Sequence, residues 1–255
     1  MRPDTTEPHL GLLDYTDELI ETVNHWEGHI AAPMPKHRGK TRIRVYKNRF
    51  IEDYFATAHP ATPGIWFGGP ILYGLYYALF SDALTPIGGA GLFVLGIIAW
   101  TLLEYVLHRW VFHWDFGKET FDQKVKSFLL HGYHHEFPND PWRLVAPPVM
   151  SWPGALIVGG IYYLVAGPHL WIPLFSGTCL GYLTYDWMHY YTHHGRPTWW
   201  LGKVIRRSHM VHHFKLFHLN MGISSPVWDV VIGTFGWSEA AIKDALAEEK
   251  TLNKG

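Results

Sequence analysis

The stretch LVAPPVMSWPGALIVGGIYYLVAGPHLWIPLFSGTCLGYLTY (residues 144–185) contains no Asp, Glu, Lys or Arg. It is too long for one membrane crossing, which takes about 20 apolar residues. Gly167-Pro168 interrupts it near the middle, and such a pair favours a turn. The stretch therefore predicts a hairpin of two transmembrane helices, at about 148–166 and 170–187.

A second apolar hairpin precedes it, with spans at about 64–80 and 86–107 separated by a turn that contains Ser81 and Asp82. All 21 Lys and Arg lie within 2–49, 109–143 and 196–254, so neither short turn carries a positive charge. The positive-inside rule places the charged segments in the cytosol. The sequence thus predicts an all-α integral membrane protein with four transmembrane helices in two hairpins under a cytosolic helical cap.

Composition excludes several classes. The formal net charge of -1 offers no concentrated basic surface, which argues against a nucleic-acid partner. A lone cysteine, Cys179, excludes an internal disulfide and cysteine-based metal sites. The first 30 residues lack the apolar core of a signal peptide. We expect a polar cytosolic segment at 1–53, a membrane domain at 54–235 and a tail at 236–255.

Histidines carry the functional signal, because ten of them form four clusters at the cytosolic ends of the predicted helices. The clusters are His108 and His113; His131, His134 and His135; His189 and His193; and His209, His212 and His213. One HxxHH triplet is as easily structural as metal-binding. Two triplets and two pairs on one membrane face favour metal ligation. The remaining eight histidines are given no ligand role.

Helical geometry predicts how these rings converge. At about 100° per residue, the members of each triplet project within an arc of roughly 100°, and His189 and His193 share one face. Three clusters are therefore expected to aim at one point. His108 and His113 lie about 140° apart, which predicts a helix end or bend between them, or ligation of two different metals. His194 points away from the His189 face and is left out.

Ten imidazoles are too many for one ion, so we expect a dimetal site with about five nitrogens per metal and an open position. Imidazole suits Zn, Cu, Fe and Ni. Only iron and copper would perform oxidation, and a nitrogen-rich site of high coordination beside a lipid favours iron. Zinc is redox-inert, although it can occupy the same cage. No catalytic side chain beyond the dimetal centre is predicted.

Three carboxylates are candidates for orienting the ligands from behind: Asp186, Glu104 and Asp140. For Asp186 and Glu104, each one turn before a histidine, a charge at the helix end explains the residue equally well. Asp140 is the weaker candidate. His218, five residues after the last triplet, is a possible pocket residue.

The segments LEYVLHRWVFH (103–113), HGYHHEFPNDPWRLVAPP (131–148), GYLTYDWMHYYTHH (181–194) and HMVHHF…MGISSPVWDVVIGTF (209–235) resemble the membrane fatty acid hydroxylase superfamily. Within it, they are most similar to the fatty acid (sphingolipid acyl) 2-hydroxylases. The resemblance covers about Phe50 to Phe235 and assigns the same ten histidines to the metals. The first 53 residues are too short for the fused cytochrome b5 domain of some family members and lack its HPGG pattern. The segment FKLFHLNMGISS after the last triplet also departs from the family pattern.

The resemblance implies O2-dependent hydroxylation at C2 of an acyl chain, free or in a ceramide-like lipid, by two iron ions. It also implies a separate electron donor, such as cytochrome b5 or a ferredoxin with its reductase. The membrane would be the endoplasmic reticulum in a eukaryote or the inner membrane in a bacterium. Alternatives are sterol desaturation and carotenoid or alkane hydroxylation. A metal transporter or sensor would need ionisable ligands deep within the bundle.

Overall fold

A computed structural model describes residues 11–28 and 41–237 of the chain. Within them the structure is helical apart from an isolated antiparallel bridge between Tyr15 and Tyr46, so the predicted all-α class is confirmed. Most of the predicted tail at 236–255 lies outside the described residues. In chain order the helices are α1 (Asp17–His25), α2 (Arg49–Tyr54), α3 (Thr62–Phe80), α4 (Pro86–Val106), the π-helix π1 (Leu107–Phe112), α5 (Phe121–Ser127), the π-helix π2 (Phe128–Gly132), α6 (Tyr133–Glu136), α7 (Pro148–His194), α8 (Trp200–Phe214) and α9 (Val227–Ile232).

Helices α3, α4 and α7 form the apolar bundle, and small residues let α4 and α7 approach closely. A Cβ on Gly96 would lie 2.1 Å from the carbonyl oxygen of Leu174, and one on Gly177 would lie 1.9 Å from that of Phe93. The Thr178 hydroxyl donates to the Gly96 carbonyl across the same contact. Close backbone packing of this kind replaces the hydrophobic driving force that is missing between helices in lipid.

Two apolar helices are long enough to cross a membrane, Pro86–Phe112 and Pro148–His194. The second contains the predicted break: Gly167 has φ 81° and ψ 178°, a backbone conformation that favours glycine. Just before the break, Leu164 and Val165 are each more than 80% exposed. Such exposed apolar surface fits a lipid environment better than water.

The C-terminal end of α7 lies beyond the predicted helix. The helix predicted at about 170–187 continues to His194, and Gly195 is its C-cap. No glycine or proline interrupts residues 182–194, so nothing in the sequence stops the helix earlier. His189 and His193 therefore lie on the same helix that forms the membrane bundle.

The N-terminal segment also differs from a purely polar one. Leu19 and Val23 lie four residues apart on one face of α1 and are fully buried, together with Val45. They pack against Val125 and Phe128, on the helices that lead to the first histidine triplet. The segment thus shares a hydrophobic core with the helices that lead to this triplet.

Candidate metal centre

The ten predicted histidines come together as two groups of five, and the donor atoms of each group all lie within 4.8 Å of one another. Group A consists of His108, His113, His131, His135 and His212. Group B consists of His134, His189, His193, His209 and His213. Every predicted cluster contributes to a group, and His194 lies outside both, with its ring against that of Tyr190.

Each triplet is divided between the two groups, which corrects the expectation that three clusters aim at one point. His131 and His135 belong to group A, whereas His134 between them belongs to group B. In α8 the pattern is reversed, since His209 and His213 belong to group B and His212 to group A. Residues four apart share a helical face, and the intervening residue projects about 60–100° away. An arc of that width serves two centres.

The pair His108 and His113 is joined by a π-helix. The His113 amide donates to the His108 carbonyl, an i→i+5 bond that defines π1. Such a turn brings residues five apart onto one face, which an α-helix does not do. Both rings consequently lie in group A. The helix ends at Phe112, between the two histidines as predicted, and the grouping favours one shared ion over two different metals.

The donor geometry fits metal ions. Nitrogen–metal bonds of about 2.0–2.1 Å at right angles place two donors roughly 3 Å apart. In group A the Nε2–Nε2 distance is 3.0 Å for His108 and His131 and 3.1 Å for His113 and His212. In group B the distance from the Nε2 of His189 to that of His134 is 2.8 Å. Facing Nε2 atoms at these separations can share an ion.

Burial keeps the rings in the form that binds metals. Desolvation lowers the pKa of His134, His209 and His213 well below the usual range, and the neighbouring histidines lower it further. These side chains are therefore neutral at physiological pH, as metal ligation requires. Both ring nitrogens of His213 are buried and make no hydrogen bond within the described part of the chain. An ion would supply a partner for one of these two nitrogens.

Two backbone carbonyls orient group A, and neither could be predicted from the sequence. Nδ1 of His108 lies 2.6 Å from the Met221 oxygen, and Nδ1 of His212 lies 2.9 Å from the Leu219 oxygen. A carbonyl only accepts, so each Nδ1 carries the proton and each Nε2 keeps its lone pair for the group. The carbonyls belong to the loop between α8 and α9.

The predicted orienting carboxylates do not bond to the rings in the expected way. Glu104 accepts hydrogen bonds from Ile223 and Ser224 instead of from His108. The buried Asp140 accepts from the Tyr133 hydroxyl and the Trp142 amide, and so it holds α6 from behind.

Asp186 and His218 occupy different surroundings. Asp186 is buried in the wall of a cavity that His189 also lines, and its Oδ2 makes no hydrogen bond with the described residues. His218 is half-buried against Phe217 and is not among the residues that line the cavity. The pocket role suggested for His218 therefore stays a prediction, whereas Asp186 does face the cavity.

The cavity has a volume of about 880 Å³, which lies in the range of ligand sites. Apolar side chains of the bundle form much of its wall, among them Phe67, Trp100 and Phe175. The wall also contains His131 of group A and His134 of group B. A long apolar molecule in this cavity would therefore reach both groups.

Comparison with known proteins agrees with this arrangement. The sequence model of the fatty acid hydroxylase family matches residues 93–234. Dihydroceramide fatty acyl 2-hydroxylase FAH1 of Arabidopsis thaliana is 32% identical over 91% of this chain and 97% of its own length. Fatty acid 2-hydroxylase of Homo sapiens is 31% identical over 89% of this chain and 68% of its own. The solved structure of full-length Scs7p, in which only the hydroxylase domain is visible, superposes with a TM-score of 0.72 at 28% identity, covering 88% of this chain and 80% of that one. The chain belongs to the fatty acid hydroxylase family.

Proposed function

We propose that this protein uses O2 to hydroxylate C2 of the acyl chain of a fatty acid or a ceramide-like sphingolipid. One observation carries the proposal: an apolar cavity of about 880 Å³ is lined by histidines of both groups. The position at C2 is supported by the activities named for the Arabidopsis and human relatives, at 32% and 31% identity.

Groups A and B would each hold one iron ion, through the ten histidines. Zinc would fill the same sites in purified protein, because imidazole binds both metals. When bound, the iron ions would supply the oxidising chemistry, with O2 as co-substrate and electrons from a separate donor such as cytochrome b5 or a ferredoxin with its reductase. The protein itself would then orient the acyl chain, remove it from water and exclude water from the site.

The cavity wall performs these tasks. Phe67, Trp100 and Phe175 present apolar surface to an alkyl chain and exclude water, so the chain is held by the hydrophobic effect alone. The polar groups of Tyr182 and Asp186 lie in the same wall. They are suited to contact the polar end of the lipid, which would fix C2 near the histidines.

We further propose four membrane crossings, at about 64–80, 86–107, 148–166 and 170–187, within a domain that spans 54–235. The break at Gly167 supports dividing α7 into two crossings. At the same end, the Tyr77 hydroxyl lies 2.8 Å from Nδ1 of His169, which joins the tips of the two hairpins. The distribution of Lys and Arg supports a cytosolic metal centre, in the endoplasmic reticulum of a eukaryote or the inner membrane of a bacterium.

The test is to express the protein with iron and to analyse cellular lipids by mass spectrometry. We expect 2-hydroxy acyl lipids from the wild type and from His194→Ala, which alters a histidine outside both groups. The His131→Ala/His212→Ala variant should yield none. Wild-type amounts of product from that variant, or an unsaturation or a hydroxyl at another carbon, would contradict the proposal. The latter outcomes would point to sterol desaturation or to carotenoid or alkane hydroxylation.

A further inference from the structure

The loop between α8 and α9 is held by an unusual set of bonds to its backbone. Four consecutive amides, from Met221 to Ser224, all donate to carboxylates. The amides of Met221 and Gly222 donate to Asp229 at 2.8 and 2.7 Å. The next two, of Ile223 and Ser224, donate to Glu104. Two acidic side chains thus take the place of the backbone carbonyls that usually accept from amides.

Both acidic residues are buried: Asp229 is fully buried, and Glu104 is 2% exposed. Burying a carboxylate is costly unless several donors compensate for the lost water. Asp229 receives a third bond, from the Thr234 hydroxyl, and Glu104 receives one from the Ser224 hydroxyl. These carboxylates are therefore fully engaged by the loop and its flank.

The same loop carries the carbonyls of Leu219 and Met221, which lie on the Nδ1 atoms of His212 and His108. Asn220 lies between them in the left-handed conformation, with φ 58°. Its side-chain Nδ2 donates to the Gly236 carbonyl, and its Oδ1 accepts from the Gly236 amide. The peptide units whose amides the acids hold are thus adjacent to the carbonyls that orient two histidines of group A.

No single loop among the described residues orients two rings of group B, where the backbone of Leu144 approaches His189 alone. Nδ1 of His209 makes no hydrogen bond there, and neither does either ring nitrogen of His213. The two groups therefore differ in how their rings are fixed. Partners that orient ligand rings change metal affinity by about 10–100-fold when they are removed.

We infer that Glu104 and Asp229 are positioning residues for one of the two metals: by fixing residues 221–224 they hold the carbonyls that orient His108 and His212, so that they set the affinity of group A and not that of group B. This inference rests on the proposed metal sites. It assigns to Glu104 a function through the loop, and it gives Asp229 a role that its sequence position did not suggest.

The test measures Zn²⁺ affinity of the purified, full-length protein in detergent by competition with a chelator. Glu104→Gln and Asp229→Asn each keep the size of the side chain but replace one accepting oxygen with a donor. We expect one of the two Zn²⁺ ions to bind about 10–100-fold more weakly in each variant, with the other unchanged. Combined with His108→Ala, either variant should weaken group A less than it does in the wild type, because part of the loop's effect acts through that ring and the rest through His212.

Glu52→Gln is the matched control. Glu52 is also buried and also accepts from two consecutive amides, those of Val45 and Tyr46, but these lie far along the chain from the α8–α9 loop. It should lower the melting temperature and leave both Zn²⁺ affinities within about threefold of the wild type. Ser224→Ala, which removes only the hydroxyl bond to Glu104, is a gentler variant should the others fold poorly, and we expect a loss of up to about tenfold at the same single site.

Several outcomes would overturn the inference. They are equal weakening of both sites, unchanged affinities in the Glu104 and Asp229 variants, and selective weakening by Glu52→Gln. Wild-type protein that binds no Zn²⁺ would overturn it together with the proposed metal sites. If the site-selective loss is found but no 2-hydroxy lipid forms in cells, the positioning role stands and the proposed reaction fails.

Discussion

Groups A and B contain the same number of histidines, yet the protein builds them differently. Group A takes its rings from three of the four clusters, as group B does, but it depends on a π-turn and on two backbone carbonyls. Group B draws two rings from the C-terminal end of α7 and two from one face of α8. Regular helices position group B, whereas an irregular loop and an irregular helix position group A.

The largest effect is expected from removing one ligand of either group. His212 and His213 are neighbours on α8 but belong to different groups. Since the loss of an outer partner costs about 10–100-fold, we expect His212→Ala and His213→Ala each to lose at least about 100-fold in product formation. Mass spectrometry of 2-hydroxy lipids measures this loss.

Pairs of these changes test the grouping itself. His113→Ala combined with His212→Ala should cost no more metal per chain than either change alone, because both rings serve group A. His113→Ala combined with His213→Ala should abolish both sites. Metal analysis that shows the reverse pattern would break the division into A and B.

A smaller effect is expected at Asn220. Both Asn220→Gly and Asn220→Ala lose the side-chain bonds to Gly236, but only alanine is strained at φ 58°. We expect the alanine variant to unfold more easily by about 1–2 kcal/mol than the glycine variant. Thermal unfolding would measure this difference. Any metal that the Asn220 variants lose should be that of group A. Equal stability of the two variants would show that the backbone relaxes.

Tyr133→Phe should affect both groups alike, because Tyr133 stands within the triplet that serves A and B. Its hydroxyl bonds to Asp140 and to the Ile43 backbone, and its removal leaves buried groups without a partner. We expect a loss of about 1–3 kcal/mol in unfolding free energy. Tyr76→Phe, in an exposed ring on α3, should change nothing. Metal analysis that shows loss from only one of the two groups would contradict the shared role of Tyr133.

The smallest effect is expected at Arg206, which joins α8 to α7. Its Nε donates to the Thr192 carbonyl at 3.0 Å, next to His193. Arg206→Gln should weaken the group B metal by a few-fold, in line with the loss of about 0.5–1.5 kcal/mol for one hydrogen bond. Lys203→Gln, exposed on the same helix, serves as the control. Chelator competition that shows weakening at group A instead would contradict this assignment.

The sequence was sufficient for the apolar helices and for the choice of histidines, because hydropathy and spacing are local properties. It could not divide HxxHH between two centres, since the division depends on how α6 and α8 face each other across the cap. It also missed Leu219 and Met221, whose contribution comes from backbone oxygens that any residue carries. Asp229 offered one signal, a lone acid within the apolar run VWDVVI, although only the contacts reveal what it holds.

The π-turn between His108 and His113 makes the number of residues between them critical. A turn closed by an i→i+5 bond encloses one residue more than an α-turn, and both rings reach group A only with that extra residue. The exposed side chains of Trp110 and Val111 can change while the number of residues stays fixed, whereas Phe112 stacks on the His131 ring. Deleting one of them would restore the α-helix and rotate all that follows by about 100°. The protein should tolerate many substitutions here and no change of length.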